Sequence, residues 1–185
     1  IVHKFNAVYG ETLVTPEMLL PENQSCCRLI GTDGKAKMSK SLGNCIYLSD
    51  TSKEVKKKVN SMFTDPEHLQ ITDPGHVEGN VVFAYLDAFC EPEHFAKYLP
   101  EYENLDAMKD HYRRGGLGDG TCKKFLFNIM EEFLQPMREK RAQYEQNIPL
   151  VYEILKKGSE TARAEAAKTL ADVRKAMKID YFDDA

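Results

Sequence analysis

No stretch of this sequence approaches the roughly 20 consecutive apolar residues that a membrane-spanning helix needs, so a soluble protein is expected. No Cys-x-x-Cys spacing occurs among Cys26, Cys27, Cys45, Cys90 and Cys122, which leaves zinc-ribbon and dithiol chemistry without support. Odd in number and set mostly in apolar runs, these cysteines are expected as buried free thiols in a reducing cytoplasm. No Gly-x4-Gly-Lys-Ser/Thr is present, so there is no P-loop. The Gly115-Gly116-Leu117-Gly118-Asp119-Gly120 tract follows no strand, which makes it a loop and helix cap and not a dinucleotide fingerprint. His68 and His76 lack metal-ligand spacing and are expected at the surface; no metal site is expected. Internal repeats and low-complexity tracts are also missing. The opening Ile1-Val2-His3-Lys4 reads neither as an initiator methionine nor as a signal peptide, so a piece of a longer polypeptide is expected.

What is present is an ordinary globular composition, 185 residues with 42% hydrophobic and 29% charged, enough to bury a core. The net charge of -4 is unevenly spread. Residues 1–50 carry five basic and five acidic side chains, residues 51–120 eight against thirteen, and residues 121–185 twelve against eleven. Asp180, Asp183 and Asp184 crowd the extreme end, so the last helical region before them is basic. A nucleic-acid partner would bind there and not on the acidic middle.

The densest cluster of chemistry is Gly31-Thr32-Asp33-Gly34-Lys35-Ala36-Lys37-Met38-Ser39-Lys40-Ser41-Leu42-Gly43-Asn44. Its glycines permit positive φ and close backbone approach to a ligand. Lys37 and Lys40 are three apart, so one turn can aim both ammonium groups at one anion, and three rotatable donors on each suit a polyphosphate. A solvated lysine-bearing turn is the other reading of the same residues. Ser25 to Ile30 and Cys45 to Leu48 are apolar runs of strand length that would hold this loop at the mouth of a sheet.

Elsewhere the pattern is helical. Val2, Phe5, Val8 and Tyr9 precede Gly10 as the end of a helix, and Thr15-Pro16 predicts a single turn. Thr51-Ser52-Lys53-Glu54 is a capping box ahead of Val55, Val59, Met62 and Phe63. Lys53, Lys56, Lys57 and Lys58 cover the other side, either as a solvated face or as a phosphate-facing stripe. Residues 64–79 contain Asp65-Pro66 and Asp73-Pro74-Gly75 and predict a loop. Helices are expected over 78–90, from Pro92, and up to Gly115. In residues 117–144, Phe125, Ile129, Phe133 and Met137 form a stripe reinforced by Leu126, Met130 and Leu134, with Pro136 predicted to kink or interrupt it. A helix from Ile148 is expected to stop at Gly158 and another to start at Ser159, with Ala162, Ala166, Leu170, Val173 and Met177 as its apolar seam.

Lys37-Met38-Ser39-Lys40-Ser41 is identical to the second signature motif of class I aminoacyl-tRNA synthetases. The flanking Gly-Thr-Asp-Gly-Lys-Ala and Leu-Gly-Asn-Cys-Ile-Tyr-Leu, and the later Pro136-Met137-Arg138-Glu139-Lys140-Arg141, resemble the bacterial-type tryptophanyl-tRNA synthetases over nearly the whole chain. The resemblance implies a mainly α fold: a helical bundle, the anticodon-binding part of such an enzyme, with a small β remnant of the Rossmann domain around the lysine loop. It divides the chain into residues 1–50, the catalytic-domain remnant, and residues 51–185, the helical tRNA-binding region. Lys37 and Lys40 are implied as catalytic, and Leu29, Lys37, Met38, Ser39, Lys40 and Ser41 as ATP-binding. Arg138, Lys140, Arg141, Arg163, Arg174 and Lys175 are the candidates for tRNA(Trp). ATP with Mg²⁺, tryptophan, a homodimer and the cytoplasm follow for the full-length enzyme. The His-x-Gly-His-like first motif of the class does not occur here, so the fragment alone is expected to be inactive. A tyrosyl-tRNA synthetase-like fragment, or a non-catalytic helical RNA- or protein-binding module that keeps the loop, are the alternatives.

Overall fold

Residues 1–181 are described by the structure, a computed structural model. In order, the helices are α1 Val2–Tyr9, α2 Ser52–Asn60, α3 Val81–Phe89, α4 Pro92–Tyr98, α5 Leu105–Arg114, α6 Asp119–Glu145 and α7 Ile148–Met177, with a 3-10 turn at Gln24–Cys26. The chain divides into two compact units. One joins Ile1–Leu19 to the chain from Ala142 onward; the other is Leu20–Arg141.

Local chemistry starts most of these helices. The Thr51 side chain accepts from the Glu54 N–H while Glu54 accepts from the Thr51 N–H, so the expected capping box is formed and fixes α2. Such caps are worth about 1 kcal/mol each. Asn80, Asn104 and Asn147 cap α3, α5 and α7 by accepting from the N–H of Val82, Ala107 and Leu150, and Pro92 opens α4 where a missing N–H costs nothing.

The core belongs to the Leu20–Arg141 unit. Val55 and Val59 of α2, Val82, Phe83, Tyr85 and Leu86 of α3, Met108 and Tyr112 of α5, and Phe125, Leu126 and Ile129 of α6 are all at most 1% exposed. Phe95 of α4 packs on Phe125 with ring centroids 4.8 Å apart, and Phe83 meets Tyr112 edge-on at 4.9 Å. Burying each such side chain contributes roughly 1.5–3 kcal/mol. The Tyr112 hydroxyl donates to Asp119 (2.8 Å) and accepts from Asn80 (3.3 Å), so the polar end of this buried ring is satisfied. The loop between α2 and α3 is irregular, as its prolines predict.

Several expectations need correction. Among the described residues no strand forms around the lysine loop; Ile30 and Lys37 make a lone antiparallel bridge. Strand-length apolar runs need partners to become a sheet, and the described chain supplies none for Ser25 to Ile30 or Cys45 to Leu48. Thr15-Pro16 starts no helical turn. α6 runs through Pro136, because one lost ladder bond is outweighed by Leu134 burial and by the Arg138–Glu131 ion pair (2.8 Å) that spans the proline. Within α6 the buried face is Cys122, Phe125, Leu126, Ile129, Met130 and Leu134; Phe133 and Met137 lie outside it. α7 is likewise continuous through Gly158, whose helical cost of about 1 kcal/mol is small against a 30-residue helix. None of its apolar seam is fully buried.

His68 is the opposite of a surface histidine. Its side chain is 2% exposed, lies against the Tyr112 ring at 4.6 Å, and places Nδ1 3.6 Å from Asp119. Neither ring nitrogen has a hydrogen-bond partner among the described residues. Cys26 and Cys27 are exposed, against expectation, while Cys45 and Cys122 are buried; all five cysteines are free. No helix among the described residues is long and apolar enough to cross a membrane.

Candidate functional site

The lysine loop is built as a braced excursion from the larger unit. Its stem closes where the Met38 N–H donates to the Leu29 carbonyl (3.0 Å) and the Gly31 N–H to the Ala36 carbonyl (2.7 Å). At the tip Gly34 takes φ 69° and the Phe63 ring lies so close that a Cβ would meet it at 3.0 Å, so this position needs glycine twice over. The second turn closes through the Gly43 N–H to the Lys40 carbonyl (3.2 Å), with Gly43 at φ 66°.

Three groups hold the loop from below. Tyr85, fully buried on α3, donates its hydroxyl to the Ile30 carbonyl (2.9 Å). Burial pushes the Tyr85 hydroxyl pKa well above the ordinary tyrosine range, so it remains a donor. The Phe63 N–H donates to the Thr32 carbonyl (3.1 Å). Asn44, 4% exposed, lies under the loop and bonds to both of its arms. The Asn44 amide, with the Lys35 N–H, holds the Asp33 carboxyl below the usual carboxylate range. Asp33 and Asn44 stand in the loop sequence, but the sequence assigned no role to them or to Tyr85.

Above this base Lys37 and Lys40 are exposed, and neither forms an ion pair among the described residues. Lys58, Lys97 and Lys109, by contrast, are each neutralised by Asp50, Glu132 and Asp87. The Ser39 and Ser41 hydroxyls meet at 3.0 Å on the same segment, and Met38 is half-buried beneath it. Leu29, also half-buried, lines a cleft of about 260 Å³ with Ser25, Arg28, Ile30, Gly79, Ala84 and Asp87. Two unneutralised cations, two hydroxyls and an adjoining cleft can receive an anion joined to a larger group. Among the described residues no group of three or more His, Cys, Asp or Glu is placed to hold a metal.

The lysine stripe of α2 is partly used up within the fold, since Lys58 pairs with Asp50 and lies 4.4 Å from the Tyr47 ring centroid, and Lys56 lies over Phe127. The basic candidates toward the end of the chain divide between the two units. Arg138, Lys140 and Arg141 are on α6 in the larger unit; Arg163, Arg174 and Lys175 are exposed on α7 in the other. Arg138 is 20% exposed and bonded to Glu131 through both terminal nitrogens and to the Asp50 carbonyl (3.3 Å), so it ties α6 to the residues after the lysine loop.

Comparison with known proteins adds an independent line. The family model for class I tRNA synthetases (W and Y) matches residues 1–135. The chain is 52% identical over 185 residues to a tryptophan–tRNA ligase of Clostridium longisporum, covering 100% of this chain and 51% of that protein. It is 51% identical over 183 residues to one from Streptococcus pyogenes serotype M3, covering 98% and 52%. A tryptophanyl-tRNA synthetase of Campylobacter jejuni, solved with ADP and tryptophan, superposes with a TM-score of 0.67 at 26% identity, over 96% of this chain and 51% of that one. The chain thus spans about half the length of the relatives it matches.

Proposed function

Since this chain belongs to the class I tRNA synthetases of the tryptophan and tyrosine branch, we propose that it supplies the half of a tryptophan–tRNA ligase that carries the lysine loop and the tRNA-binding helices. In this reading residues 1–50 retain the end of the catalytic domain and residues 51–185 form the tRNA-binding region. That is a division of labour that does not follow the two compact units. The identity to tryptophan–tRNA ligases supports tryptophan over tyrosine as the amino acid.

The observation that carries the proposal is the pair of unneutralised lysines on a loop whose backbone is fixed from below. Adenylate formation joins the tryptophan carboxylate to the α-phosphorus of ATP and expels pyrophosphate, and negative charge accumulates on the leaving group. Lys37 and Lys40 face that charge, with Ser39 and Ser41 as neutral donors, and Leu29 lies along the nucleotide base. Cations held in place before the reaction lower the barrier because they need no reorganisation. In this reading ATP arrives as its Mg²⁺ complex, the ion coming with the substrate. The homodimer and the cytoplasmic setting belong to the same proposal.

The test is tryptophan-dependent exchange of pyrophosphate into ATP. The full-length polypeptide is expected to catalyse it with tryptophan and not with tyrosine. The 185-residue chain alone is expected to be inactive, because it carries no first class I motif. Exchange driven by tyrosine, or none by the full-length polypeptide, overturns the reading.

The tRNA contact is proposed for the exposed cations of α7, Arg163, Arg174 and Lys175; Lys140 and Arg141 are candidates by themselves on α6 of the larger unit, where Arg138 is bonded to Glu131. Reversing charge at Arg163, Arg174 and Lys175 together is expected to weaken tRNA(Trp) binding and flatten its salt dependence, since each phosphate contact releases counterions. Filter binding across a salt series reads both effects. Binding unchanged at every salt concentration would place the RNA on another face.

A further inference from the structure

We propose that Asn44 is a positioning residue for the lysine loop, setting Lys37 and Lys40 through three hydrogen bonds from one buried amide; this deepens the functional reading above and rests on it. Asn44 Oδ1 accepts the Ser39 N–H (2.8 Å), in the residue between Met38 and Lys40. Its Nδ2 donates to Asp33 Oδ1 (3.1 Å) on the outgoing arm and to the Lys37 carbonyl (3.4 Å) on the returning one. The main-chain carbonyl of Asn44 also takes the Thr32 N–H (2.9 Å). The side chain is thus tied to the backbone of one lysine and of the neighbour of the other.

The partners leave one orientation of the amide. Ser39 offers only a donor, and Asp33 and the Lys37 carbonyl offer only acceptors, so the oxygen must face Ser39 and the nitrogen the other two. An isosteric aspartate would keep the Ser39 bond, lose both donations and set two carboxylates against each other. The site is also enclosed: a Cβ on Gly31 would collide with the Asn44 amide, so the room for this brace is made by a residue that has no side chain. Among the described residues neither lysine has a counter-charge to fix it, which leaves the backbone beneath them as the means of aiming them.

Exchanging the two partners tests this. In the full-length ligase, Asn44→Asp should lower pyrophosphate exchange by about tenfold, through kcat and not through the KM for tryptophan, the scale of one lost buried bond to a charged group. Asp33→Asn alone should be mild, because its amide oxygen can still accept. The double variant Asp33→Asn with Asn44→Asp restores one donor and one acceptor between the arms and should return to within about threefold of wild type. Gly31→Ala, which displaces the amide without altering its chemistry, should reproduce the loss and serves if Asn44→Asp fails to fold. Wild-type rates in Asn44→Asp or in Gly31→Ala, or a double variant no faster than Asn44→Asp, would overturn the proposal. Lys40→Ala run alongside separates the two ideas: if it loses activity and the Asn44 variants do not, only the positioning role fails. If Lys40→Ala is also fully active, the functional reading fails with it.

Discussion

Replacing Lys40 with alanine in the full-length ligase is expected to slow tryptophanyl-adenylate formation by about 30- to 1000-fold, the equivalent of about 2–4 kcal/mol for one preorganised charge. Lys40 is exposed and makes no ion pair among the described residues, so its removal leaves no orphaned partner. Thermal stability should therefore be unchanged. Tryptophan affinity should also hold, because in the proposed role the ammonium acts where charge develops on pyrophosphate and not where the amino acid binds. Lys35 provides the contrast. It is equally exposed at the tip, but outside the Lys37–Ser41 motif, and Lys35→Ala should retain nearly full exchange. Pyrophosphate exchange measured at saturating tryptophan checks both variants. A Lys40→Ala enzyme within about threefold of wild type would remove Lys40 from the chemistry, since that is well under 1.4 kcal/mol.

Phe125→Ala is expected to destabilise the larger unit by about 3–5 kcal/mol, the range for truncating a buried aromatic in a packed core. Phe125 is 1% exposed and its ring lies 4.8 Å from Phe95, so the substitution opens a cavity between α4 and α6 that neither helix can collapse into without losing other contacts. Phe133 lies two turns further along α6, 43% exposed and 5.3 Å from Phe89. Phe133→Ala should cost far less. Urea unfolding of the 185-residue chain compares the two, and equal losses would show that burial is not what separates them.

Much of this protein can be read along the chain because its signals are local. The capping box at Thr51 and Glu54, the proline at the start of α4, and the glycines after α5 act within a few residues, so the structure follows them. Lys37-Met38-Ser39-Lys40-Ser41 is likewise contiguous, and both the family and the candidate chemistry were legible from it.

Other features depend on partners distant in sequence. The apolar runs flanking the loop look like strands, yet a strand is defined by its neighbours, and among the described residues only the Ile30–Lys37 bridge forms. Pro136 and Gly158 carry breaker signals of roughly 3 and 1 kcal/mol, which the continuous α6 and α7 override. His68 looks like a loop histidine until α5 brings the Tyr112 ring against it. Arg138 looks like a phosphate contact until Glu131 and the Asp50 carbonyl take its donors. Asn44 is one polar residue among many in the sequence; only folding closes the loop over it and turns its amide into the link between two arms. The sequence by itself determined which chemical groups are present and where helices begin, because caps and motifs are short-range. The tertiary structure decided which charges are neutralised and which stay available, because that depends on what lies within about 4 Å in space.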